Sequence, residues 1–217
     1  MSKTDMLGPL PRAMVGVPKK MLGIVLDIAN KLGSADGEMF YEALTSFVRN
    51  WRRVVTETAP QVLALISAGE ELVLGPLDGS RTIARARDIF SGYLDSDFRN
   101  WGLDVSSRAT EEARTQVFEM RRDANFADMF GSLARPLSEL TFTQDQIIEF
   151  CLKYPNWLRQ DGYATFFLFE VNGEIFVARV LVYPLGFGVR AFRFGRSRVW
   201  GGEGRRRVVV PQLDLSV

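Results

Sequence analysis

Residues 165–183 read TFFLFEVNGEIFVARVLVY, two runs of aromatic and β-branched residues separated by Asn172 and Gly173. Such runs suit a pleated, half-buried surface. Asn-Gly supplies the two positive-φ positions of a type I′ turn, whose twist matches that of the flanking strands. The stretch is therefore predicted to be a β-hairpin. A two-residue turn also fixes register: Phe169 faces Phe176 and Phe167 faces Ala178, with Phe166, Leu168, Ile175 and Val177 on the opposite side. Both faces are apolar, so the hairpin belongs in the middle of a sheet covered on both sides, with helices as cover.

Downstream, VRAFRF (189–194) follows Gly186 and Gly188 as a third strand, and RVVV (207–210) before Pro211 is a fourth. Upstream, TQVFEMR (115–121) alternates in strand fashion, with Phe118 and Met120 on one side and Val117, Glu119 and Arg121 on the other. Thr143 and Gln146 fit a capping box. Ile147, Ile148, Cys151 and Leu152 then form one helical face ending before Pro155. Nearer the start, Met21, Leu22, Val25, Ile28, Ala29 and Leu32 recur at helical spacing, with Gly33 placed to end that helix in a left-handed conformation. Asp36 is the expected cap of a second helix carrying Met39, Phe40, Ala43, Leu44, Phe47, Val48 and Trp51. A third helix is expected from Gln61 to Ile66, stopping at Gly69. The predicted organisation is an α+β protein: residues 1–18 an irregular lead with Pro9, Pro11 and Pro18, residues 19–70 a helical segment, and residues 71–217 an α+β domain with a C-terminal antiparallel sheet and helices packed on it. There is no internal repeat.

Composition removes several kinds of chemistry. The chain has no histidine, which excludes Ser-His-Asp and Cys-His catalysis, HExxH zinc sites and any imidazole acid-base step. The one cysteine, Cys151, forms no internal disulfide, fits a reducing compartment and reads as core. No GxxxxGK[ST] motif occurs. Gly186, Gly188 and Ala191 spell GxGxxA, but a strand follows where a pyrophosphate site needs a helix N-terminus. No cofactor is expected. The apolar run after Lys19 and Lys20 is interrupted by Asp27 and is too short to span a bilayer, so no membrane association is expected.

Two features carry chemistry. The first is YLDSDFRNW (93–101), where Asp95 and Asp97, with Asp104 and Glu119, are the candidates for a carboxylate-only metal site. An EF-hand is excluded because Arg99 stands where an oxygen ligand is needed. The competing reading makes Asp95 a helix cap, Asp97 a first-turn charge, and Phe98 and Trp101 an i, i+3 apolar pair ended by Gly102. The second is residues 186–210, where seven arginines stand against one acid, Glu203. That segment carries +6 in a chain whose total is +1, which leaves −5 elsewhere. Lysine is scarce, with 22 arginines to five lysines.

The blocks EALTSFVRNW, SGYLDSDFRNWG, QVFEMRRDANFADMFGSL, WLRQDGYATFFLFEVNGEIFVARV and RRRVVVPQL resemble, over roughly residues 34–213, a family of uncharacterised proteins from candidate-phylum bacteria with small genomes. The resemblance implies a bacterial cytoplasmic protein and assigns no catalytic residue.

The residues themselves support two functions. One is a non-catalytic binding or interaction module, its partner a protein or a nucleic acid such as RNA, using Arg190, Arg193, Arg196, Arg198, Trp200, Arg205, Arg206 and Arg207. Guanidinium groups for phosphate and rings for unstacked bases are the pairing that single-strand binders use. The alternative is a metal-assisted enzyme acting on a phosphate ester, with Asp95 and Asp97 holding the ion.

Overall fold

The computed structural model describes residues 22–58 and 61–212. The expected irregular lead, 1–18, lies outside the described residues. The chain divides into two compact units, Met1–Ala59 and Pro60–Val217.

The first unit is a helical hairpin, α1 (Leu22–Leu32) and α2 (Gly37–Thr58). Gly33 is not among the positive-φ residues, so the expected left-handed end is not used. The Ser34 hydroxyl closes α1 instead, donating to the Lys31 carbonyl at 2.7 Å. As expected, α2 starts directly after Asp36. A Cβ on Gly37 would collide with the Leu32 carbonyl oxygen, so a turn this tight requires glycine. Lys31 Nζ lies 5.5 Å from the Phe40 ring centre and clips the two helices together. Among the described residues, no helix is long and apolar enough to cross a membrane.

The second unit is α+β. Its strands are β1 (Leu63–Leu65), β2 (Leu72–Leu74), β3 (Tyr93–Leu94), β4 (Ala113–Met120), β5 (Thr141–Phe142), β6 (Ala164–Val171), β7 (Glu174–Tyr183), β8 (Gly186–Arg193) and β9 (Arg207–Pro211). They form one sheet in the order β1-β4-β9-β6-β7-β8-β3, with β2 also on β4 and β5 also on β6. The central hairpin has the predicted turn, Asn172 at φ 53° and Gly173 at φ 80°. Its predicted register holds, with Phe169 opposite Phe176 and Phe167 opposite Ala178. The sheet is mixed rather than wholly antiparallel, because β9 runs parallel to β6 and β3 runs parallel to β8. Residues 63–65, expected to be helical, form β1 against β4. Their apolar spacing suits either state, and the open edge of β4 decides: Ile66 N–H donates to the Val117 carbonyl at 2.9 Å and Ser67 Oγ accepts from Val117 N–H at 2.9 Å.

Both faces of the central hairpin carry a buried core, as its apolar sequence requires. Phe167, Phe169, Phe176, Ala178 and Val189 belong to the first face, where α5 (Gln144–Lys153) packs through Ile147, Ile148, Phe150 and Cys151. Phe150 meets Phe167 edge-on at 5.4 Å. Leu152, expected on the buried face, is 48% exposed, and Phe150 takes that place. The Thr143–Gln146 capping box forms, and burial pushes the Cys151 thiol pKa up, which keeps it an unreactive core group. The buried Asp145 carboxylate accepts from Gly79 N–H at 3.0 Å and from Arg81, whose guanidinium also reaches Glu149 at 2.8 Å. This network ties the loop before the 3₁₀ turn Ile83–Arg85 to α5. The second face carries Phe166, Leu168, Val177, Phe192 and Val208, and α4 (Phe126–Gly131) covers part of it with Phe126, Met129 and Phe130.

Candidate polyanion-binding face

The four carboxylates considered for a metal are spent on separate local tasks. α3 (Asp97–Asn100) opens with Ser96 at its cap position, one residue later than the expected Asp95 cap. Asp95 Oδ1 accepts from the Asp97 N–H at 3.2 Å, while the Asp95 N–H continues the ladder onto the Val189 carbonyl at 3.1 Å. Phe98 is fully buried, stacked on Phe169 with ring centres 6.0 Å apart, and Gly102 at φ 68° ends the turn. YLDSDFRNW is thus first a strand-to-helix turn that docks a phenylalanine. Asp104 accepts from the Thr82 hydroxyl and lies 3.0 Å from Arg85 Nε; the hydroxyl bond and then the guanidinium hold its pKa below the usual carboxylate range. Glu119 pairs with Arg121 at 3.2 Å. Among the described residues, no group of three or more Asp, Glu or Cys side chains is placed to hold a metal ion.

The seven arginines of 186–210 do not form one patch, because strand alternation and two turns send them to different places. Arg190 lies on the second face. Arg193 lies on the first, its guanidinium 5.2 Å from the Trp101 ring centre and 3.0 Å from Glu174. Arg196 stacks on Phe192 at 4.9 Å. Arg205 is exposed in a left-handed conformation at φ 41°. Arg207 turns to the first face and holds the Asn156 and Leu158 carbonyls, each at 3.1 Å, which makes it a fastening for the loop before β6. Trp200, predicted as an exposed stacking ring, is only 3% exposed. Its backbone forms a two-way bridge with Ala124, at 2.9 and 3.1 Å, which draws the loop after β8 back over the sheet and seats the indole on Phe166, ring centres 5.0 Å apart. The ring is core, and it organises charge around itself.

Three guanidinium groups rest on that indole: Arg198 at 4.4 Å, Arg206 at 5.3 Å and Arg179 at 5.4 Å from its ring centre. A fourth follows from strand register. Arg179 stands directly opposite Arg190 on the second face, with Phe166 the next residue across the row. Like charges directly opposed across a ladder are destabilising, by up to roughly 1 kcal/mol. Among the described residues, none of these four arginines has a carboxylate within ion-pair distance, although Glu203 and Asp123 lie near enough to act electrostatically on Arg206. Burial, then Arg190, Arg198 and Arg206, depress the Arg179 pKa below the usual guanidinium value. Guanidinium is so strong a base that it stays charged at neutral pH.

Two further donors lie in the cluster. Arg179 Nε and the Trp200 indole N–H are both buried with no acceptor among the described residues. Two half-exposed tyrosines border it. The Tyr93 ring carries the Arg190 guanidinium at 4.7 Å, and the Tyr183 ring lies over Gly188, where a Cβ would collide with it. The face therefore combines four cations and two partly exposed tyrosine rings, with the two unpaired donors buried beneath them. Arg179, Tyr93 and Tyr183 lie outside the basic stretch; the one sequence signal for Arg179 is a lone charge within the apolar run IFVARVLVY. No protein-family model, curated protein or solved structure matches the chain, so the site is read from its own geometry.

Proposed function

We propose that the chain is a binding module for a phosphate-bearing polyanion, with single-stranded RNA the ligand class its surface fits best. The observation that carries this reading is the cluster of Arg179, Arg198 and Arg206 around Trp200 with Arg190 beside Arg179, without a carboxylate in ion-pair distance among the described residues. A folded domain that only needed solubility would disperse such charges or pair them, since mutual repulsion opposes compaction. Held together on one face, they match the spaced charges of a phosphate backbone, and guanidinium is the group best shaped to hydrogen-bond phosphate oxygens. Tyr93 and Tyr183 supply the rings that favour unstacked bases over a duplex.

Fluorescence anisotropy with labelled single-stranded RNA, single-stranded DNA and duplex DNA, each from low to moderate salt, tests this. The expected result is binding to the single strands with a log-log salt slope of about −0.7 per phosphate neutralised. Arg198→Gln should weaken binding and flatten that slope while a cooperative melt shows that the variant is still folded. Absence of binding to every nucleic acid at low salt would overturn the reading and leave the face as a contact for an acidic protein.

A further inference from the structure

Beside the arginine cluster, the open edge of β8 carries a second feature. β3 pairs with β8 at Gly188 and Val189, and among the described residues no strand lies along the outer edge of β8 from Arg190 to Arg193. There Trp101, Phe192, Arg193, Gly195 and Arg196 line a groove of about 550 Å³, within the range of small-molecule sites. The two rings come from opposite faces of the sheet. Trp101 is brought by the turn after α3 and leans on Phe176 of the first face, ring centres 6.3 Å apart, while Phe192 belongs to the second face. Trp101 is 36% exposed, and Arg193, itself pinned by Glu174, covers part of its ring. Arg196 over Phe192 has no ion pair among the described residues. Beside Gly195 the space is open: a Cβ there would meet nothing within 4 Å.

We propose that this groove takes one unstacked nucleobase of the bound strand, stacked on Trp101 with Arg196 beside it, while the adjoining phosphates lie on Arg190 and Arg179. The assignment rests on the nucleic-acid reading of the arginine face. Arg190 and Phe192 are two residues apart on one strand, about 7 Å, so one strand can reach both. A planar heterocycle fits here because the walls are a partly exposed indole and a phenyl ring with guanidinium groups at their margins, the surroundings that bind bases regardless of sequence. Arg196 makes the groove electropositive, which favours an occupant carrying phosphate over a neutral apolar peptide.

The test compares an oligoribonucleotide with an abasic ribose-phosphate oligomer of the same length, both titrated against wild type, Trp101→Ala, Gly195→Val and Arg198→Gln. Gly195 lines the groove and does not sit at positive φ, so valine there adds bulk at the groove wall without left-handed strain, and thermal melts confirm that each variant is folded. Trp101→Ala and Gly195→Val should each weaken the oligoribonucleotide about 5- to 150-fold, the span of one base stack, and leave the abasic oligomer within twofold. Arg198→Gln should weaken both ligands alike. If Trp101→Ala and Gly195→Val leave the oligoribonucleotide unchanged, or weaken both ligands equally, the base site is wrong and the phosphate face stands. If wild type binds neither ligand, both readings fall.

Discussion

Arg179 offers a direct test, because the structure makes it costly to the fold and useful to the site. Methionine at this position keeps a long apolar stem against Trp200 while removing the charge and the Nε–H. Three quantities then change. The buried Nε has no acceptor among the described residues, and an unsatisfied buried donor costs roughly 1–3 kcal/mol. The directly opposed Arg190 adds up to roughly 1 kcal/mol of repulsion. Against these gains stands the cation–π contact with Trp200, 5.4 Å from its ring centre, worth roughly 0.5–2 kcal/mol. The balance favours the variant by about 1 kcal/mol, which in a domain of this size raises the melting temperature by roughly 2–4 °C. The same change removes one phosphate contact, so the log-log salt slope for single-stranded RNA should become shallower by about 0.7. Calorimetry and anisotropy on the same preparation measure both. A variant less stable than wild type would show that Arg179 is satisfied in solution and holds the sheet together, and an unchanged salt slope would remove it from the phosphate path.

Three further predictions concern the scaffold. Gly173→Val forces a β-branched residue into the left-handed conformation of the β6–β7 turn, so it should cost roughly 1–2 kcal/mol, read as a lower denaturant midpoint; an unchanged midpoint would mean the turn is not held at positive φ. Trp200→Ala empties a core position beneath the arginines and should destabilise by roughly 3–5 kcal/mol, where loss of an exposed stacking ring would leave the denaturant curve in place. The depressed Asp104 pKa means that its stabilising bonds to Thr82 and Arg85 are fully present above the ordinary aspartate pKa and are lost as pH falls through the lower, folded value. In Thr82→Val the carboxyl titration of Asp104, followed by carbon NMR, should move up toward the ordinary range, and no movement would exclude the hydroxyl as its main cause.

Local chemistry alone determined the parts of this protein that depend on a few adjacent residues. Asn172 and Gly173 specify a turn because their backbones tolerate positive φ, and that turn sets which phenylalanines face which through the two-residue period of a strand. Thr143 and Gln146 specify a helix start because their side chains satisfy N–H groups only three residues away. Residues 63–65, expected to be helical, became a strand for the converse reason: their apolar spacing suits either state, and the unfilled edge of β4 settles it. The basic stretch shows the same division. Its excess of arginine is plain in the sequence, but which arginines converge is set by strand register and by one contact between distant segments. The Ala124–Trp200 bridge, spanning 76 residues of chain, buries the ring expected to be exposed and lays Arg198 and Arg206 against it. The β7–β8 register then brings in Arg179 from outside the stretch, and the same alternation sends Arg193 and Arg207 to the other face. Charge content is a property of composition, but a charged site is a property of position, and position here is fixed by the β7–β8 register together with the long-range bridge that seats Trp200.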